Sequence, residues 1–148
     1  MTKLSERLQL DATYDLLMLA KSQYLKFWRF ESARRSGEQI DEMKAILFLR
    51  EAVSDALMGI KLLDDHLEKN NARKKPIYNG IISARNSEDT VRAIRAIKSI
   101  KTEALNVVYD LDNSMEPDYK PIVEVCKSPE LFDPFNLIAT AIFKGADS

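Results

Sequence analysis

The residues able to carry chemistry are few: one histidine, His66, one cysteine, Cys126, and carboxylates in short groups. One histidine cannot supply a zinc site or a nucleophilic triad with its usual companions, and no His/Cys cluster has ligand spacing. No Glu-x-x-His pair is present for a di-iron centre. The acids gather at Glu38, Asp41 and Glu42, at Glu51 and Asp55, and at Asp64, Asp65 and Glu68. At helical spacing they lie mostly opposite the apolar positions, as a solvated helix face would. We therefore expect no metal, no cofactor and no catalytic residue.

His66 could in principle relay a phosphoryl group from a helix of a bundle. That chemistry needs a small, glycine-containing segment through which a partner approaches, and Asn70-Asn71 stand there instead. A helical ribonuclease with arginine four residues before its histidine is disfavoured too, because Leu62 occupies that position. His66 is expected to be solvated beside Asp64 and Asp65.

The cations are more suggestive. Residues 1–68 hold 10 basic and 12 acidic side chains, residues 69–101 hold 9 and 2, and residues 102–148 hold 3 and 9. The blocks net −2, +7 and −6 within a total of −1. Arg73, Lys74 and Lys75 on a loop, with Arg92, Arg95, Lys98 and Lys101 on a helix, could neutralise phosphates of a nucleic acid. Lys26, Arg29, Arg34 and Arg35 could add a second patch. The four helical cations recur every three residues and so wind around about half the helix instead of lining one face. No helix-turn-helix, zinc finger or RNA-binding sheet pattern accompanies them. The competing expectation is that the acidic C-terminal third covers the block.

The elements that must position these residues are helices. The organising stretch is Gln39 to Asn70, where Ile46, Leu49, Val53, Ala56, Ile60, Leu63 and Leu67 form an a/d seam flanked by Met43, Leu47, Leu57 and Leu62. Read as one helix it would be about 50 Å long. Residues 3–35 read as a first helix with a soft break near Asp11-Ala12-Thr13. Its end concentrates Tyr24, Phe27, Trp28 and Phe30 on more than one face. The short Ser36-Gly37-Glu38-Gln39 link predicts an antiparallel hairpin, with Ser36 and Gln39 as a capping box or Gly37 closing the first helix.

Beyond Asn70, Pro76 keeps Lys75 extended, and Ile77 to Ile82 is expected to be an irregular hydrophobic plug. A third helix begins at Ser87, a cap followed by Glu88 and Asp89, and runs to about Leu111. Four prolines then break the chain. Short helices are expected near 120–127 and, for one turn, at 129–132. A last, nearly all-apolar helix runs from about 134 to 144 and is ended by Gly145.

The expectation is one all-α domain over residues 1–148: a bundle on an antiparallel pair of long helices, with a third helix and short C-terminal helices. A lone cysteine, a charged N-terminal stretch and the lack of an 18-residue apolar run suggest a cytoplasmic protein without a membrane span. The long seam and short C-terminal segments suggest uncovered apolar surface. The functional expectation is accordingly a non-catalytic adaptor or regulatory protein that binds protein, itself included, through Tyr24, Phe27, Trp28 and Phe30. Nucleic-acid binding through the basic block is the alternative.

Overall fold

The computed structural model describes residues 2–147, with side chains over residues 10–146. These residues form six α-helices and no strand: α1 (Thr2–Arg35), α2 (Glu42–Lys69), α3 (Asn79–Arg85), α4 (Glu88–Asp112), α5 (Lys120–Cys126) and α6 (Pro134–Asp147). The all-α expectation holds.

Chemistry at the helix ends explains the hairpin. Gly37 takes a left-handed φ of 80°, which lets its N–H reach the Arg34 carbonyl and the Glu38 N–H reach that of Ala33. These two bonds satisfy carbonyls that the end of α1 would otherwise leave bare. The Asp41 side chain then accepts the Lys44 N–H at 3.1 Å and caps α2. The Ser36–Gln39 capping box does not form, because the carboxylate two residues past Gln39 makes the better cap. At 28 residues α2 is about 42 Å long, and α1, unbroken through Thr13, is the longer helix.

Six of the seven seam residues, Ile46 through Leu63, are buried, and Leu67 is half-buried. One flank of the seam meets α1 at a close approach made by Gly59, whose missing Cβ would sit 3.2 Å from the Thr13 carbonyl. The other flank meets α4, which Ser87 starts by accepting the Thr90 N–H. Arg85, just before α4, reaches Asp64 near the end of α2, whereas Lys101 and Leu105 lie beside the Arg50–Lys61 stretch. The two helices are therefore antiparallel. Tyr24 touches Phe135 and Tyr14 touches Phe143, so α6 runs antiparallel to α1. The long helices close an up-down-up-down ring in the order α1, α2, α4, α6.

Short segments plug the two ends. The Ile77–Ile82 stretch is not irregular: Pro76 opens a 3-10 turn, Pro76–Tyr78, which leads directly into α3. Its Tyr78 and Ile81 are buried. Gly145 does not end the last helix but lies inside α6, where a Cβ would stand 2.7 Å from the Gly80 carbonyl oxygen. Glycine is used there for contact with α3, and the helix continues to Asp147. At the other end, Ser128-Pro129-Glu130 makes only a turn. The buried Tyr24 hydroxyl lies 2.6 Å from the Cys126 carbonyl and 2.8 Å from that of Lys127. Its proton thus serves the C-terminal carbonyls of α5, and burial pushes both the phenol and the Cys126 thiol up in pKa.

Two outcomes follow. Gly145→Ala gains helix propensity but collides with a backbone oxygen, so it should destabilise the fold by about 1–3 kcal/mol in chemical denaturation. Asp133 caps α6 by accepting the Asn136 N–H at 3.0 Å, while burial raises its carboxyl pKa against the lowering pull of that amide. With the folded pKa above the unfolded one, the folded state holds the extra proton, so this group's contribution falls as pH rises above about 4 and levels off past the folded pKa. Asp133→Asn keeps the cap and Asp133→Ala loses it; both should flatten that dependence, and the alanine variant should lie about 1 kcal/mol below the asparagine variant at any pH. Denaturation midpoints across the carboxylate range check both.

Candidate protein-binding surface

The aromatic end of α1 is not an open surface. Tyr24 and Phe27 are buried, and Trp28 and Phe30 are half-buried. Tyr24 meets α5 and α6, Phe30 packs on Phe48 of α2 at 5.7 Å, and Trp28 packs against both Tyr24 and Phe27. Of the four aromatics expected to receive a partner, Tyr24 and Phe27 lie in the core, while Trp28 and Phe30 keep part of their surface exposed.

Nor does the acidic C-terminal third cover the basic block. Among the described residues, the block's ion pairs are Arg85 with Asp64 and Arg92 with Asp89, neither from residues 102–148. Arg92 also lies over the Phe132 ring at 5.2 Å. Arg73, Lys74, Lys75, Arg95, Lys98 and Lys101 are exposed. The structure spreads them over two places: the first three on the connection after α2, the others on α4. The second basic patch is largely engaged, since Arg34 and Arg35 clamp the buried Glu31 carboxylate at 2.7 and 3.0 Å and Lys26 lies over the Phe48 ring.

His66 is not solvated. It is 4% exposed, its Nδ1 receives the Asn70 side-chain amide at 3.1 Å, and its Nε2 is 3.5 Å from the Tyr78 hydroxyl. An amide donating to Nδ1 leaves the neutral ring's proton on Nε2, towards Tyr78. The ring pins the plug that precedes α3 to the end of α2. The Asp64 carboxylate beside it turns away to Arg85, which binds both its oxygens at 2.8 and 3.0 Å.

A groove of about 450 Å³ opens between α2 and α4. Val53, Leu57, Met58 and Leu105 form its floor, and Arg50, Lys61 and Lys101 its rim. None of these three cations has an ion-pair partner among the described residues. At 100° per residue, Lys98 stands within about 20° of Leu105 and prolongs the α4 wall, while Asp55 points from α2 towards the α1 side and Glu51 stands within about 20° of Met58, outside the groove lining. Met58 is 56% and Leu105 46% exposed, and Leu47 and Leu62 are exposed on the same side of α2, with Glu51 among them. Two other depressions differ in kind. One, about 570 Å³, is walled by the paired Asp64 and Arg85 with Glu68 and Arg73. The other, about 760 Å³, contains the Glu31 clamp, with Arg34 over the Tyr119 ring.

Sequence reasoning missed this groove. Its signal was Met58 and Leu47, apolar residues outside the seam and close to the outward direction of α2. Among the described residues, no three His, Cys, Asp or Glu side chains converge where a metal could sit, and no helix is long and apolar enough to cross a membrane. No protein-family model, curated protein or solved structure matches the chain.

Because His66 is packed, His66→Ala should cost about 2–4 kcal/mol, through an emptied site and an Asn70 amide deprived of its acceptor. Urea unfolding measures it, and a change below about 0.5 kcal/mol would return the residue to the solvated class.

Proposed function

We propose that this chain is a non-catalytic, cytoplasmic adaptor or regulatory protein that acts by binding protein, including a second copy of itself. The observation that carries this reading is the apolar strip left open along α2 and α4. Apolar floor, partial exposure and a charged rim are the makings of a protein contact. The fold supports it by burying Tyr24 and Phe27 in the bundle's own closure. A free, buried thiol at Cys126 suits a reducing compartment.

Light scattering from micromolar to millimolar concentration tests the self-association. The chain should show a mass above that of the monomer, and Met58→Asp, a change at an exposed position, should shift it to monomer while leaving the helical circular dichroism intact. A monomer mass throughout that range removes self-association from the proposal.

A second reading, nucleic-acid binding, draws support from the exposure of Arg95, Lys98 and Lys101 without acidic partners. A gel shift at about 150 mM salt tests it. Changing Arg92, Arg95, Lys98 and Lys101 together to glutamine should then weaken binding and lower the salt slope by about 0.9 for each phosphate no longer neutralised. The adaptor reading expects no saturable shift.

A further inference from the structure

We propose that the groove between α2 and α4 receives an amphipathic helix of a partner protein that carries glutamate or aspartate along both edges of its apolar stripe. The inference rests on the protein-binding reading and names the partner's chemistry. Two parallel walls of helix present ridges and grooves into which a third helix packs at about 8–10 Å. The described residues offer no sheet edge to which a strand could add. From Arg50 to Lys61 the α2 wall is about 17 Å long, room for three helical turns. An apolar stripe on the partner would meet Leu57, Met58 and Leu105.

Charge decides the flanks. Arg50 and Lys61 rise from one wall and Lys101 from the other, so a helix seated between them has cations on both sides. Of the acids in the same region, Asp55 turns towards α1 and Glu51 stands on the outer lip of α2 beside Met58, and neither lines the groove. Carboxylates on the partner would therefore find unpaired cations, and lysines there would meet like charge. A nucleic-acid backbone could answer the rim but not the floor, because phosphates leave Leu57, Met58 and Leu105 in water. An interface of three turns is small, which places affinity near micromolar and makes exchange fast.

The test uses the full chain and a fluorescein-labelled synthetic helix of about 20 residues, with leucines at i, i+3, i+4 and i+7 and glutamates flanking them. A second peptide replaces every glutamate with lysine. Fluorescence anisotropy at about 150 mM salt should show the glutamate peptide binding at least about tenfold tighter than the lysine peptide. The triple variant Arg50→Glu, Lys61→Glu and Lys101→Glu should reverse that order, and Met58→Asp should weaken both peptides. Equal affinity for the two peptides, or an order the triple variant leaves unchanged, overturns the proposal. So does displacement of the glutamate peptide by an RNA duplex at lower concentration than by unlabelled peptide. If neither peptide binds while Met58→Asp dissociates an oligomer, a second copy is the occupant; the acidic-helix proposal then fails and the protein-binding reading stands.

Discussion

The structure depends on a mismatch of width. On α2 the buried positions cover about half the helix circumference, from the Gly59 side that meets α1 to the Val53 side that meets α4. Two neighbours and the bundle interior fill that half. Leu47, Met58 and Leu62 lie beyond it, and the ring order leaves no further helix to reach them. A surplus of apolar arc on one helix is thus the physical origin of the only surface to which we assign a function.

The ends of the bundle are tied by polar and steric devices. One phenol, Tyr24, answers the C-terminal carbonyls of α5 and so draws the proline-broken stretch over the aromatic end of α1. At the opposite end, the contact of Gly80 with Gly145 and the contacts of His66 with Asn70 and Tyr78 bring α3 against α6 and α2. These closures decide which apolar surface is left. Had the α5–α6 stretch stayed loose, α1 would offer its aromatics; with that stretch anchored, the open strip passes to α2 and α4.

Much of the fold was legible because it rests on local chemistry. The seam, the Ser87 and Asp133 caps, the short link and the prolines give the helices and their antiparallel pairing directly. Illegible were the features set by which helices become neighbours. His66 follows the seam's flank and is flanked by charges, yet Tyr78, twelve residues later, decides its burial. Gly145 reads as a helix stop until the Gly80 backbone is placed beside it. Tyr24 reads as surplus apolar surface only while α5 and α6 are thought too short to cover it. In the candidate site the cations Lys98 and Lys101 were identified, but their grouping with Arg50 and Lys61 belongs to the α2–α4 packing.

The central claim, that the α2–α4 strip is a protein contact, is tested most directly by a photo-crosslinking amino acid placed at Met58 in the cells that make the protein, with Ser22, exposed on α1, as the control position. A protein contact there predicts a discrete protein adduct from position 58, absent from position 22, with the crosslinked peptide identified by mass as helical and acidic or as the chain itself. Adducts equal in kind and amount at both positions, or nucleic acid alone at position 58, would contradict it.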